Sequence, residues 1–561
     1  MNDKLPLRSG GKILVDQLRI HGVNTAFCVP GESYLAVLDA LYDVRDTLRL
    51  IVCRQEGGAA FMAEAYGKLT GKPGICLVTR GPGATNASIG VHTAFQDSTP
   101  MILLIGQVGS DMVEREAFQE MDYRRMYGQM SKWVAQIDRA ERIPEYLSHA
   151  FHLAVSGRPG PVVLALPEDM LTSETMTSDA KPFRRVKAHA GTADLDALRD
   201  MLAASSNPLV ILGGGDWSAA ACRDIVAFIE ANNLPVTCSF RRQDLIDNRH
   251  PNYCGDVGIG INPLLAESVR RADLLLTIGA RLGEMTSGGY SLFGIPKPAQ
   301  KLVHVHPGAE ELGRVYQADL MINAGMQEFA HALANLAPVD SSAWRPWTHQ
   351  ARENYLENLA HASMPGQLDL GEVVSHLRRR LPAGSILTNG AGNYSGWVQR
   401  FYQYTGFRTQ LAPTNGAMGY GVPSGIAAKL VHPERVVVSF SGDGCFMMNG
   451  QELATAVQYQ IGVIFVVINN GMYGTIRMHQ EREYPSRVYA TALHNPDFVA
   501  LAKAYGLHGE LVENTAQFEP AFERALAAGK PYLLELRIDP EAITTRTTLS
   551  AVRAQAIKAG R

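Results

Sequence analysis

Arg435-Val436-Val437-Val438-Ser439-Phe440 runs directly into Ser441-Gly442-Asp443-Gly444, and a second apolar run, Val463-Ile464-Phe465-Val466-Val467-Ile468, runs directly into Asn469-Asn470-Gly471. Each run is rich in β-branched residues, too short to span a bilayer, and reads as a strand buried on both faces of a parallel sheet. Between them a helical pattern starts around Asn449-Gly450-Gln451-Glu452-Leu453-Ala454-Thr455-Ala456. The two polar clusters therefore fall at the carboxyl ends of adjacent strands, where open α/β sheets bind their ligands. A carboxylate, an amide oxygen and nearby backbone carbonyls are hard donors. They suit Mg²⁺ or Ca²⁺ that also takes oxygens from a diphosphate, and the glycines let backbone approach the phosphates. Gly-Asp-Gly alone reads equally well as an ordinary strand-to-helix turn; the asparagine pair closing the next strand favours the ligand site.

The same alternation extends outward. From about 8 to 180, β-rich runs (Thr25–Val29, Leu50–Cys53, Gly74–Thr79, Met101–Ile105, Pro161–Ala165) alternate with helical stretches. It recurs from 190 to 335 with Pro208–Leu212, Ala272–Gly279 and Lys301–Val305, and from 366 to 545 with Ser385–Thr388, Arg435–Ser439, Val463–Ile468 and Tyr532–Ile538. Strands spaced by helices give parallel sheets covered on both faces. The expected fold class is α/β, with three doubly wound parallel-sheet domains: 1–180, 190–335 and 366–545, followed by a tail, 546–561. Pro167–Thr192 reads as a linker, Pro338–Pro365 as a crossing linker or irregular helix, and the tail as a helix or a flexible lid.

Composition narrows the function classes. The chain has 561 residues, too many for one core, with 19% charged residues and a net charge of −3. The basic residues are dispersed and Arg378-Arg379-Arg380 reads as a solvated helix end, so neither a nucleic acid nor an acidic membrane partner is expected. Seven cysteines, without a CxxC pair, read as buried free thiols of a reducing compartment. Met1-Asn2-Asp3-Lys4 lacks an apolar signal-peptide core, so the expected location is the cytoplasm. Near the N-terminus, Arg54-Gln55-Glu56-Gly57-Gly58-Ala59-Ala60 places a carboxylate at a helix start, where the helix dipole alone would favour it.

Gly-Asp-Gly followed by Asn-Asn at this spacing resembles the thiamine diphosphate signature of the family that includes acetolactate synthase, pyruvate oxidase and pyruvate decarboxylase. The resemblance covers essentially the whole chain. Gly442-Asp443-Gly444-Cys445-Phe446-Met447-Met448-Asn449-Gly450-Gln451-Glu452-Leu453-Ala454-Thr455 is similar to the acetolactate synthase version, as are Gly81-Pro82-Gly83-Ala84-Thr85-Asn86, Ala117-Phe118-Gln119-Glu120 and Gly157-Arg158-Pro159-Gly160-Pro161-Val162. The resemblance implies thiamine diphosphate and Mg²⁺ as cofactors. Asp443 and Asn470 would bind the metal through side chains and Met472 through its carbonyl, with Gly442 and Gly444 beside the diphosphate. Glu56 would hydrogen-bond the aminopyrimidine N1′ and so drive activation of the thiazolium carbon. Met418 would support the bent cofactor. Gly392 and Asn393 stand near the diphosphate, where Tyr394 replaces a family histidine. In the family the glutamate and the aspartate serve one cofactor from different subunits, which implies a homodimer or homotetramer with active sites at subunit interfaces. The implied reaction is decarboxylation of a 2-oxo acid with carboligation to a second 2-oxo acid or an aldehyde. A decarboxylase or C–C lyase for another 2-oxo acid or 2-hydroxycarbonyl compound is the alternative, and a non-catalytic protein of this fold a more distant one.

The departures from acetolactate synthase lie where substrate choice is made. Met285 stands where the biosynthetic enzymes carry an arginine, and His479 where they carry a tryptophan that helps select a larger acceptor. A cation and an indole cannot be exchanged for these side chains without changing specificity. Together with Phe118 these residues are the expected substrate pocket. Glu32 replaces a small residue and reads as a proton relay or as a helix-start carboxylate. Gln119 and Lys132 follow the synthase pattern; Lys132 reads as a contact to a substrate carboxylate or as a surface lysine. Gly213-Gly214-Gly215 is compatible with FAD in the middle domain, while Gly255-Asp256-Val257-Gly258 departs from the flavin-contacting segment.

Overall fold

The computed structural model describes residues 5–560. Met1-Asn2-Asp3-Lys4, read above for the lack of an apolar leader, and Arg561 at the end of the tail lie outside the described residues. The chain forms two compact units, Met1–Val186 and Lys187–Arg561.

In the first unit the strands are β1 (Leu7–Ser9), β2 (Thr25–Cys28), β3 (Arg49–Val52), β4 (Gly74–Val78), β5 (Met101–Gln107), β6 (Trp133–Gln136), β7 (Pro161–Pro167) and β8 (Glu174–Met176). Six of them form one parallel sheet in the order β3-β2-β4-β5-β7-β6, while β1 and β8 make a separate antiparallel pair. β4, β5 and β7 are buried along their whole length, as continuous apolar runs between two helical layers require. Strand order reverses between β2 and β4. The carboxyl ends of those strands, Val29–Glu32 and Thr79–Gly81, therefore open onto the crevice of this sheet.

The second unit holds two more all-parallel sheets. One runs β11-β10-β9-β12-β13-β14, with β9 (Pro208–Leu212), β10 (Val236–Ser239), β11 (Tyr253–Val257), β12 (Leu274–Ile278), β13 (Lys301–His306) and β14 (Leu320–Asn323). The other runs β16-β15-β17-β18-β20-β19, with β15 (Ile386–Asn389), β16 (Gln410–Leu411), β17 (Val437–Gly442), β18 (Ile464–Asn469), β19 (His508–Val512) and β20 (Tyr532–Arg537). Buried amides tie the two sheets together. The Gln243 N–H donates to Gln410 Oε1 at 2.9 Å, and Gln410 Nε2 donates back to Gln243 Oε1 at 2.9 Å. The order of the last sheet reverses between β15 and β17, so Gly390–Tyr394 and Gly442–Gly444 meet at its switch point.

The three-sheet α/β architecture is the one expected. Several local expectations are corrected. Pro167–Thr192 is not all linker: it opens with a short helix, Glu168–Thr172, and with β8. Pro338–Pro365 contains a regular helix, Arg345–Asn358, entered through the fully buried Trp344. The chain turns helical at Asp443 itself (Asp443–Phe446), before the expected start at Asn449. The tail is a helix, Leu549–Lys558. All seven cysteines are free and buried. No helix among the described residues is long and apolar enough to cross a membrane.

Candidate active site

A cavity of about 250 Å³ lies at the switch point of the last sheet, and Gly392, Tyr394, Met418, Asp443, Asn470 and Met472 are among its lining residues. Asp443 reaches it because β17 ends at Gly442 and the backbone turns at once into a helical turn. Its carboxylate is 3% exposed. Oδ1 accepts from its neighbour Gly444 N–H at 2.9 Å, and Oδ2 accepts from Gly471 N–H and Asn495 Nδ2, both at 2.8 Å. Burial pushes the carboxyl above its ordinary range, against the pull of these donors. No cationic side chain is recorded against this anion among the described residues.

The end of β18 supplies the second wall. Asn470 Oδ1 accepts from Met472 N–H at 3.2 Å. The loop is then pinned by an isolated bridge to residues 491–493, in which Tyr473 N–H donates to Thr491 O and Leu493 N–H to Gly471 O. The Met472 carbonyl takes no part in that bridge. Aromatic rings press on the glycines: a Cβ on Gly444 would stand 2.5 Å from the Tyr473 ring, and one on Gly442 3.0 Å from the Tyr394 ring. Side chains at these positions would push the rings off the turn. Tyr394 is buried, its hydroxyl 3.5 Å from Phe440 O and from Cys445 Sγ, and desolvation raises its pKa well above that of a free phenol.

Asn393 also lines the cavity, but its amide is used by the protein. Oδ1 accepts from Thr475 Oγ1 at 2.9 Å and Nδ2 donates to Ile543 O at 2.9 Å. That geometry makes Asn393 a brace between the β15 turn, the helix Gly474–Glu483 and the C-terminal segment. His479 and Met285 are absent from the cavity lining. His479 Nδ1 accepts from Arg482 Nη2 at 2.6 Å, and burial with the nearby guanidinium lowers its pKa. Met285 is half-buried in the loop after β12.

The other candidates belong to the first unit. Gln55 caps the helix Glu56–Thr70 by accepting from Gly58 N–H at 3.1 Å, which places Glu56 in the first turn. Glu56 Oε2 accepts from Asn86 Nδ2 at 2.9 Å. Glu32 is 67% exposed and its Oε1 is 3.2 Å from Arg80 Nη2. Arg80 also approaches Glu168 at 3.4 Å and stands 6.0 Å above the exposed Phe118 ring. Gln119 adopts φ 65° against Gly81, whose N–H donates to Tyr123 Oη at 2.9 Å. Lys132 Nζ donates to Leu153 O and Ser156 O, both at 2.6 Å, and so caps the helix Ile143–Val155. Arg80, Tyr123, Tyr473 and Asn495 escaped sequence reading. The strand-end position of Arg80 and the place of Tyr473 directly after Met472 were usable signals; Tyr123 and Asn495 meet Gly81 and Asp443 across long stretches of chain.

Comparison with known proteins decides the family. Three family descriptions match in chain order: thiamine pyrophosphate enzyme, N-terminal TPP binding domain, over residues 8–126; the central domain over 195–333; and the C-terminal TPP binding domain over 390–536. The chain belongs to the thiamine pyrophosphate enzymes. It is 32% identical to acetolactate synthase isozyme 2 large subunit of Escherichia coli K12, covering 95% of this chain and 96% of that one. It is 30% identical to the probable acetolactate synthase large subunit of Methanocaldococcus jannaschii, over 95% and 92%, and 31% identical to the acetolactate synthase large subunit of Corynebacterium glutamicum, over 92% and 84%.

The thiamine diphosphate and metal expected of this family fit the residues present. Asp443, the Asn470 amide oxygen and the Met472 carbonyl are oxygen donors of the kind Mg²⁺ takes, and they line one cavity that already buries an anion. Flavin finds no comparable support. Gly213 N–H donates to Ile278 O at 3.0 Å and a Cβ on Gly214 would meet Gly279 O at 1.9 Å, so the glycine run is explained by close packing of β9 against β12.

Proposed function

We propose that the protein catalyses thiamine diphosphate- and Mg²⁺-dependent decarboxylation of a 2-oxo acid with carboligation to a second carbonyl compound, in the manner of acetolactate synthases. The observation carrying this reading is the oxygen donor set of Asp443, Asn470 and Met472 in one cavity of a chain that aligns with acetolactate synthase large subunits over nearly its whole length. Bound thiamine diphosphate supplies a nucleophilic thiazolium carbon and an electron sink for the pair left by CO₂. Asp443, Asn470 and the Met472 carbonyl would hold Mg²⁺, which would supply positive charge for the diphosphate. Gly442 and Gly444 let backbone come close to that group, and Met418 fills the space beside it with a polarisable side chain. Glu56 holds a proton at the aminopyrimidine N1′, its other oxygen steadied by Asn86. Glu32, paired with Arg80, is the proton relay at the substrate side, with Phe118 and Gln119 shaping the pocket.

The active assembly is a homodimer or homotetramer, and the enzyme works in the cytoplasm without FAD. A second reading, release of a free aldehyde or cleavage of another 2-hydroxycarbonyl compound, is favoured by Met285 and His479, which offer neither the cation nor the indole of acetolactate synthases. A panel of 2-oxo acids with both cofactors, scored for CO₂ and for carboligated product, tests the proposal. Product retained with carboligation supports it, CO₂ with free aldehyde alone supports the second reading, and no CO₂ from any member defeats both. Sedimentation and the visible flavin absorbance of the purified protein check the assembly and FAD statements.

A further inference from the structure

Behind Asp443 runs a line of polar side chains that crosses the ends of β17, β18 and β20. Glu535, 2% exposed on β20 and 3.5 Å from Arg537, accepts from Asn469 Nδ2 at 2.8 Å. Asn469 Oδ1 in turn accepts from Asn495 Nδ2 at 3.0 Å and from Gly471 N–H at 3.2 Å. Asn495 Nδ2 donates again, to Asp443 Oδ2 at 2.8 Å. An ionised carboxylate only accepts, whereas an amide donates at one end and accepts at the other. The carboxylate at Glu535 therefore obliges Asn469 to turn its NH₂ inward and its oxygen toward Asn495. That oxygen, together with the Asp443 carboxylate, obliges Asn495 to present its NH₂ to both. Flipping Asn495 would set oxygen against oxygen at both of its contacts, and flipping Asn469 would set oxygen against the Glu535 carboxylate and NH₂ against the donors of Asn495 and Gly471. The direction of the whole line is set by the oxygen acceptors at its two ends, Glu535 and Asp443.

We propose that Asn495 is a positioning residue for the metal ligand Asp443, and that Glu535, acting through Asn469, sets its orientation. Asn495 restrains one carboxylate oxygen and, with Gly471 N–H, fixes the rotation of the group about its side-chain bond. The orientation that binds the cation is then present before the cation arrives. Partners of metal ligands act in this way elsewhere, and their loss typically weakens metal binding about 10–100-fold. The inference rests on the reading of Asp443 as a Mg²⁺ ligand.

The test titrates Mg²⁺ into the full-length protein at saturating thiamine diphosphate. It is read by tryptophan fluorescence, since Trp397 lines the cavity, alongside the melting temperature of the cofactor-free protein. Asn495→Leu and Glu535→Leu are each expected to raise the Mg²⁺ Kd by about 10–100-fold. The double variant is expected to lose no more than the larger single, because both act through one line. Glu535→Gln keeps an acceptor for Asn469 and is expected to restore wild-type affinity. Where Asn495→Leu fails to fold, Asn495→Ser takes its place. A wild-type Kd in the Asn495 variant, fully additive losses in the double, or a Glu535→Gln loss equal to that of Glu535→Leu overturns the inference. The Asp443→Asn control separates the two readings. If wild type binds without regard to Mg²⁺ and Asp443→Asn is unchanged, the metal-site reading itself has failed.

Discussion

Arg553→Met should loosen the C-terminal helix from the site without unfolding the protein. The Glu481 carboxylate is fully buried on the helix Gly474–Glu483, whose first residues line the cavity. Arg553, on the helix Leu549–Lys558, donates from Nε to Oε2 at 2.7 Å and from Nη2 to Oε1 at 2.8 Å. Arg477 Nη2 and Ser486 N–H complete the cluster at 2.6 and 2.9 Å. Led by the Arg553 hydrogen bonds, these contacts draw the Glu481 carboxyl from 4.5 down to about 2. Such a shift corresponds to about 3 kcal/mol in favour of the ionised, docked form. With Arg477 and Ser486 left in place, removing Arg553 should forfeit about 2 kcal/mol, or about 30-fold in the opening equilibrium of the helix. Its other holds are the buried Leu549, Val552 and Ala556 side chains and, at its first turn, hydrogen bonds from Leu549 and Ser550 to Glu541. Amide exchange over 549–558, followed by mass spectrometry, should quicken by about 30-fold, with the central-sheet amides unchanged. Because the folded pKa is depressed, the contribution is complete above about pH 4.5 and disappears as pH falls toward about 2. The variant should therefore show a flatter acid dependence of exchange. Wild-type exchange in Arg553→Met, or an identical acid profile, would refute the reasoning and reduce the pair to an ordinary surface contact.

Three further outcomes are expected. Glu56→Gln should bind cofactor normally and lose roughly 10²–10⁴-fold in turnover, measured at saturating 2-oxo acid. Glu32→Gln, with cofactor binding intact, should slow turnover and alter its pH profile; unchanged turnover would discard the relay. Asp256, lifted from 3.8 to about 7 by burial despite a 2.6 Å hydrogen bond from Gln399, adds stability at low pH that is lost as pH rises through about 7. Melting temperatures of Asp256→Asn should gain on wild type as pH rises across that window.

The central strands were legible because burial on both faces leaves uninterrupted apolar runs, as in Val463–Ile468. Among the edge strands β3 was read, as Leu50–Cys53, but others left no such trace: β6 is mostly half-buried, β16 has two residues, and β19 exposes His508 and Leu511. β10 is wholly buried, yet it reads Val-Thr-Cys-Ser and carries a single aliphatic side chain, so it lacks the apolar run of its neighbours. Asp443 and Asn470 were readable because strand ends fix their spacing. Asn495 and Arg553 were not, since each meets its partner across a long stretch of chain that no local pattern records. The cap made by Lys132 was not legible for the same reason: a lysine near a strand reads alike whatever its ammonium meets.

Calorimetric titration of thiamine diphosphate into the wild-type protein, with Mg²⁺ and then with chelator, tests the central claim most directly. Binding that requires Mg²⁺, and that Asp443→Asn abolishes in a protein of unchanged melting temperature, is the predicted result. Equal binding with chelator, or in Asp443→Asn, would contradict it.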